Sequence, residues 1–211
     1  MGRFTKFACI CFLAILLFGC SNERPESRFL DYIVSVDQQY RELEKVQLSL
    51  ENAEKEESRL YSHVISLKPG AADDILYEKL LENHQKRKHL IDQEMQMLEQ
   101  ADADMENYEK LVKKIKGEKT REEAEKCLVY IKNRTSLNKA VIAVYKDGLS
   151  KDLALYKKIN QADSTIASLD KAIKEANGSY LAIGEEQERF NKKAMGWEKV
   201  MGEYRRSIES T

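Results

Sequence analysis

Hydrophobic residues recur every seven positions along this chain, in paired apolar rows. The first two rows start at Phe29 and Tyr32, and only Gln39 and Glu57 interrupt them before a turn signal at Lys68-Pro69-Gly70. Apolar residues at the a and d positions of successive heptads predict a long helix that buries one stripe against other helices. With only 9 glycines and 2 prolines in 211 residues, a turn-rich β sandwich or barrel is excluded.

The same periodicity predicts three more helices, with breaks near residues 68–72, 117–120 and 160–163. These breaks give four segments of about 40 to 48 residues, so each apolar stripe can find a partner along its whole length. Turns at Asp147-Gly148 and at Asn177-Gly178 are the alternatives, and the first of them would leave one helix about half as long as its neighbour. We therefore predict an all-α fold, a long up-and-down four-helix bundle with left-handed coiled-coil-like packing over residues 29–211.

The last segment carries the most regular apolar pattern, and we predict one continuous helix over residues 166–208. Four glycines fall outside its apolar rows: Gly178, Gly184, Gly196 and Gly202. Because each glycine costs roughly 1 kcal/mol relative to alanine in a helix interior, the outer face of this helix should be soft. The rows also hold an aromatic series, Tyr180, Phe190, Trp197 and Tyr204. Its heptad spacing indicates core packing, with a sugar-stacking platform as the alternative interpretation.

Polar side chains interrupt the apolar rows of the first three helices. They are Gln39, Glu57, His84, Arg87, Glu94, Asn138 and Asp152. We interpret His84 as a partly buried polar spacer and the others as local breaks in the stripe. No two histidines stand three or four residues apart, as a helical metal site requires, so no metal or cofactor is predicted. The chain also lacks a glycine-rich phosphate loop and a G-x-S-x-G motif, and we do not expect an enzyme.

The first twenty residues have the pattern of a targeting segment. Arg3 and Lys6 precede an unbroken apolar run over residues 7–18. This run is too short to cross about 30 Å of hydrocarbon as a helix and fits the apolar region of a signal peptide. It ends in Leu17, Phe18, Gly19 and Cys20, which resembles the bacterial lipobox. That resemblance implies that the Cys20 thiol receives a diacylglycerol before cleavage at its amino side; a plain signal peptide with a chance cysteine is the alternative.

These observations divide the chain into three parts. Residues 1–19 are the predicted lipoprotein signal peptide, residues 20–28 the lipidated cysteine and a tether, and residues 29–211 a single helical domain. Cleavage removes two cysteines and lipidation uses a third, so Cys127 alone remains and no intramolecular disulfide can form. Two acyl chains make a stable membrane anchor, whereas one is marginal.

Charge gives one candidate surface and excludes one class of partner. Removing Arg3 and Lys6 with the signal peptide lowers the formal net charge of −1 by two, to −3, which gives no reason to expect nucleic-acid binding. A basic cluster surrounds the turn at Gly117: Lys110, Lys113, Lys114, Lys116, Lys119 and Arg121. In an up-and-down bundle tethered at its N-terminus this turn returns to the membrane, together with Arg205 and Arg206. The cluster is thus a candidate contact for anionic lipid head groups, with ordinary solvated lysines as the alternative.

Several sequence motifs carry a family resemblance across the whole mature chain. The third segment contains Tyr145-Lys-Asp-Gly-Leu-Ser-Lys-Asp152-Leu-Ala-Leu-Tyr156, and the last contains Asn177-x-x-Tyr180 and Phe190-Asn191 before Trp197-Glu-Lys. Together with a lipobox followed directly by long helices, they resemble the YkyA-type cell-wall-binding lipoproteins of Gram-positive bacteria. The resemblance implies a helical-bundle lipoprotein at the interface of membrane and wall, and it supplies no catalytic residues.

The expected function is therefore that of a binding protein of the cell envelope. We expect a non-enzymatic protein, lipid-anchored on the extracytoplasmic face of the cell membrane, that binds wall polymer or another envelope component. The alternative is a coiled-coil scaffold or accessory subunit of an envelope protein complex, which would work through its exposed helix faces.

Overall fold

The computed structural model describes residues 24–65 and 74–210, and the regular elements in these ranges are all α-helices. They are α1 (Pro25–Ile65), α2 (Asp74–Val112), α3 (Glu118–Asn160), α4 (Ile166–Lys193) and α5 (Trp197–Glu209). Successive long helices pack against each other in chain order, and α5 returns to contact α3 and α1. The predicted all-α bundle of long helices is confirmed.

The first helix begins earlier than the sequence pattern predicts. Its first residue is Pro25, four residues before Phe29, and the Arg28 amide donates to the Arg24 carbonyl oxygen at 3.2 Å. Proline suits this first position because the amide it lacks would have no partner within the helix. Residues 25–28, predicted as part of the tether, are therefore helical, while the turn signal at Lys68-Pro69-Gly70 lies outside the described residues.

The third helix runs without a break through Asp147-Gly148, and α4 runs without a break through Asn177-Gly178, so both alternative turns are wrong. Gly148 is buried where α3 approaches α4, and a Cβ placed there would lie 3.1 Å from Ile183 Cδ1. A larger side chain would have to displace Ile183, so this glycine marks close helix packing and not a turn. The real break follows Asn160, and α4 starts after Thr165, whose side chain accepts a hydrogen bond from the Ser168 amide at 3.2 Å.

The prediction of one continuous final helix is wrong, because α4 ends at Lys193 and α5 begins at Trp197. Gly196 joins them with φ of 108°, a left-handed conformation that suits glycine. The break redirects the chain so that α5 packs along the first third of α1. There the Trp197 indole nitrogen donates to Asp37 Oδ1 at 3.1 Å, and the Tyr204 hydroxyl donates to the Glu26 carbonyl oxygen at 2.9 Å.

The apolar core consists of two clusters. The larger extends from Phe29 and Tyr204 to Leu50, Ile91 and Ile183, and the smaller contains Leu60, Val64, Leu80, Leu155, Tyr156, Ala172 and Ala176. In each long helix a polar residue lies between the two clusters in sequence. These residues are Glu57, Arg87, Asp152 and Tyr180. None of the described helices contains a stretch apolar enough to cross a membrane.

Candidate functional site

The bundle is open along one seam. Among the described helices, α4 packs on α3 but makes no close contact with α1. A cavity of about 410 Å³ lies between them, lined by residues of all four long helices. A second cavity of about 380 Å³ continues it and shares Glu54 and Gln187 with the first. We call this continuous depression the α1/α4 cleft.

Arg87 of α2 lies at the floor of the cleft and is only 1% exposed. Its guanidinium contacts the other three long helices. Nη1 forms ion pairs with Glu57 of α1 and with Asp152 Oδ2 of α3, the latter at 3.1 Å. Nε donates to the Tyr145 hydroxyl at 2.9 Å, and Nη2 donates to the Tyr180 hydroxyl at 3.2 Å. A buried charge is stable only when it is paired and hydrogen-bonded, and this one is both.

Tyrosine hydroxyls hold the carboxylates in place around this guanidinium. Tyr156 donates to Glu57 Oε1 at 2.5 Å, Tyr180 to Asp152 Oδ2 at 2.6 Å, and Tyr145 to Glu54 Oε1 at 2.6 Å. Burial raises the pKa of all three tyrosines, so each hydroxyl keeps its proton and acts as a donor at neutral pH.

Arg87 stays positively charged in this setting. Burial acts to lower the pKa of its guanidinium, but Tyr145, Tyr180 and Asp152 raise that pKa by more. The floor is thus a fixed network of one cation, its carboxylate partners and neutral phenols.

Glu94 places another carboxylate in the cleft. The cavity that it lines is also lined by Leu50 and Ile91 of the larger core cluster. Glu94 is 4% exposed, and Gln47 Nε2 donates to its Oε1 at 2.9 Å. Burial raises the pKa of Glu94, and the hydrogen bond from Gln47 only partly offsets the effect. A carboxylate kept here at a cost in stability is the kind of residue found at functional sites.

The aromatic series of the last segment is divided between core and cleft. Trp197 and Tyr204 are buried, as the core interpretation predicts. Tyr180 is 41% exposed and Phe190 is half-buried, and both line the cleft. Phenol and phenyl faces beside hydrogen-bonding groups provide a surface that combines apolar contact with a polar handle.

The structure corrects the interpretation of the polar residues on the apolar rows. Glu57, Arg87 and Asp152 are not separate breaks in three stripes but parts of one network. His84 is fully buried beside it, with its ring edge-on to Tyr156 at a centroid distance of 6.1 Å. The sequence signal was the presence of opposite charges at core positions in antiparallel neighbours.

The predicted basic cluster lies at one end of the bundle. Lys110 pairs with Glu106 at 2.6 Å in the last turns of α2. The lysines of the turn and of the first α3 turn are exposed: Lys113, Lys114, Lys116 and Lys119. Arg121 is half-buried. Within residues 24–65 and 74–210, no ion pair engages these four lysines.

The start of α1 and the end of α5 lie at the same end as this turn. Thr120 Oγ1 of α3 donates to the Ser207 carbonyl oxygen of α5 at 3.1 Å, and Tyr204 contacts Glu26 as described above. The start of α1 therefore lies beside the basic turn, as the up-and-down topology predicts.

The remaining predicted residues do not contribute to the cleft. Leu17, Phe18, Gly19 and Cys20 lie outside the described residues. Cys127 is buried in the larger core cluster, and burial raises the pKa of its thiol to about 12. In the described part of the chain, no group of three or more His, Cys, Asp or Glu side chains is arranged to hold a metal ion.

Removing the Arg87 charge should destabilise the folded protein. We expect Arg87→Met to lower the free energy of unfolding by about 3 to 5 kcal/mol, because Glu57 and Asp152 would be left buried without a cation. Chemical denaturation followed by circular dichroism would measure this loss. Arg59→Met removes an exposed arginine paired with Glu56 and should leave the unfolding midpoint nearly unchanged.

A charge-free variant separates electrostatics from packing. Combining Arg87→Met with Glu57→Gln and Asp152→Asn leaves no unpaired ion, so most of the lost stability should return. A triple variant as unstable as Arg87→Met would mean that Arg87 acts through its packing and not through its charge.

The comparisons with known proteins agree with this architecture. The family model of YkyA, described as a putative cell-wall binding lipoprotein, matches residues 24–205. Among solved structures, a conserved protein of unknown function from Staphylococcus aureus, determined at 1.6 Å, aligns with a TM-score of 0.61 and 17% sequence identity. The alignment covers 86% of this chain and 91% of that chain, and at this identity it shows the fold alone. No protein of curated function matches the chain. The family match spans every residue of the cleft floor, and the chain belongs to the YkyA family.

Proposed function

We propose that this protein is a lipid-anchored, non-enzymatic component of the cell envelope that binds a wall polymer in the α1/α4 cleft. The family description supports a wall-binding role in general terms. The observation that carries the assignment to the cleft is the open seam itself. It is elongated, it contains hydrogen-bonding groups from four helices, and it presents the half-exposed ring of Tyr180. Ligand sites combine such apolar walls with a few fixed polar groups.

Binding without chemistry fits the state of the floor residues. Glu57 and Asp152 each bond both to Arg87 and to a tyrosine hydroxyl. Carboxylates held in this way are fixed in position and fully engaged, whereas a general acid or base must be free to exchange a proton with substrate. We therefore assign the network to shaping the cleft.

The anchor and the basic end complete the proposal. We place a lipidated Cys20 on the extracytoplasmic face of the cell membrane, following the lipobox of residues 17–20. Because α1 starts at Pro25, only a few residues separate such an anchor from the bundle. The basic turn beside the start of α1 would then face the lipid head groups.

Filling the cleft should weaken wall binding. A Cβ on Gly184, which lines the cleft, or on Gly178, which does not, would meet no atom within 4 Å, so both positions accept a side chain. We expect residues 21–211, which contain all five helices, to co-sediment saturably with purified cell walls. Gly184→Phe should weaken this binding at least about tenfold, equivalent to 1.4 kcal/mol.

The matched variant controls for an effect on folding. Gly178→Phe also replaces an exposed glycine of α4 and should bind like the unmodified protein. Equal binding by both variants would remove the cleft from the proposal. No binding by a protein shown to be folded and helical would instead favour the scaffold function, with crosslinking to envelope proteins as the next step.

The basic end should bind anionic membranes weakly in the absence of the lipid. Each well-placed cation contributes about 1 kcal/mol near an anionic surface, so reversing Lys113, Lys114, Lys116 and Lys119 to glutamate should weaken vesicle binding at least about tenfold. Co-sedimentation of residues 21–211 with phosphatidylglycerol-containing vesicles across a salt series would measure it, since screening weakens such contacts.

Four exposed lysines away from the turn provide the control: Lys55, Lys79, Lys171 and Lys174. Their reversal changes the net charge equally but should reduce vesicle binding much less. If both quadruple variants lose binding to the same extent, the attraction depends on net charge and not on an oriented end.

A further inference from the structure

We propose that the ligand of the α1/α4 cleft is a segment of wall polymer that carries primary ammonium groups. This inference rests on the proposed function, because it names the chemistry of the ligand in the same cleft. The ammonium ligand is inferred from the acidic residues that line the cleft and from the two carboxylates among them that have no cation as partner within residues 24–65 and 74–210.

The charged residues that line the cleft are mostly acidic. Five carboxylates and one guanidinium line the two cavities among the described residues: Glu51, Glu54, Glu57, Glu94, Asp152 and Arg87. The single cation is already used, because Arg87 pairs with both Glu57 and Asp152. The cleft as a whole therefore has an excess of negative charge, which opposes the entry of a phosphate-rich segment.

Two of these carboxylates have no cation in the part of the chain that the structure describes. Glu54 is half-buried and accepts a hydrogen bond from the Tyr145 hydroxyl. Glu94 is 4% exposed and accepts one from Gln47. The more exposed Glu51 differs, because Lys55 lies 2.6 Å from it one helical turn away. Lys55 thus neutralises Glu51, which water already stabilises. Glu54 and Glu94 are less exposed, would gain more from a counter-ion, and have none among the described residues.

The arrangement suits an ammonium group better than a metal ion. Divalent cations take several oxygen ligands at once, and among residues 24–65 and 74–210 no group of three or more His, Cys, Asp or Glu side chains is arranged to hold a metal ion. An ammonium is a compact charge with three donors. One carboxylate and the oxygens of neighbouring tyrosine hydroxyls or amides can satisfy it, and both unpaired carboxylates have such neighbours in Tyr145 and Gln47.

Two parts of a cell wall can supply this group. Peptide chains of the wall have free amines, and anionic polymers can bear aminoacyl esters with the same ammonium. The cleft would recognise the shared chemistry, and selective removal of the esters by mild base distinguishes the sources.

The test compares walls whose amines are free with walls whose amines are acetylated. We expect acetylation to weaken co-sedimentation of residues 21–211 at least about tenfold, because it removes the positive charge. The double variant Glu54→Gln and Glu94→Gln should lose binding to a similar extent and no longer respond to acetylation. Glu44→Gln with Glu99→Gln, at exposed positions outside the cleft, should bind like the unmodified protein. Base-treated walls that still bind would identify the peptide amines, and loss of binding would identify the esters; both outcomes support an ammonium ligand.

The unfolding midpoint of Glu94→Gln distinguishes a carboxylate that binds ligand from one that stabilises the fold. Because burial raises the pKa of Glu94 above its unfolded value, ionising it costs stability at neutral pH and costs nothing below the unfolded value of about 4.3. Glu94→Gln should therefore raise the unfolding midpoint at pH 7, leave it unchanged near pH 4, and still weaken wall binding.

Equal binding to free and acetylated walls would overturn the ammonium ligand. So would amine-dependent binding that survives the double variant, since the amine would then be recognised elsewhere. Gly184→Phe separates this failure from that of the proposed function. If it still blocks binding, the cleft remains the site with a different ligand, and if it does not, both proposals fail.

Discussion

The buried guanidinium of Arg87 is the interaction on which the arrangement of the four long helices depends. A cation without partners inside a bundle is prohibitively costly, so Glu57, Asp152, Tyr145 and Tyr180 must all meet it at one level. Each partner lies on a different helix or a different turn, and together they fix the register of α1, α3 and α4 relative to α2. Buried ion pairs seldom add net stability compared with apolar packing. We infer that this network sets the register of the helices more than it stabilises their packing.

The same network explains why the seam between α1 and α4 is open. Closing it with apolar side chains would bury Glu54 without a counter-ion and would cover the hydroxyl of Tyr180. Two glycines support the open arrangement. Gly148 lets α4 pack closely on α3, and Gly196 turns the chain so that α5, in place of α4, contacts α1. The cleft is therefore a consequence of charge placement and of chain direction, and it occurs where the apolar core divides into two clusters.

The heptad rows predicted the helical class, the long helices and the breaks near Gly117 and Asn160, because the buried stripe of a long helix leaves a clear period in the sequence. They could not predict the break at Gly196. Phe190, Trp197 and Tyr204 keep their spacing of seven across it, and periodicity reports which positions are buried but not whether the axis continues. Opposite charges at Glu57, Arg87 and Asp152 were visible, yet only the packing order places them together. Glu54 lies off the rows and becomes notable only once the seam is known to be open.

Hydrogen exchange on the free and the wall-bound protein tests whether the cleft is the binding site. Soluble fragments of digested cell wall at saturating concentration would be added to residues 21–211, and protection would be mapped by mass spectrometry. We expect slower exchange in α1 near residues 50–61 and in α4 near residues 176–191, which face each other across the cleft. The basic turn at residues 113–121 should not change. Protection confined to that turn, or spread evenly over the outer helix faces, would contradict the assignment of the binding site to the cleft.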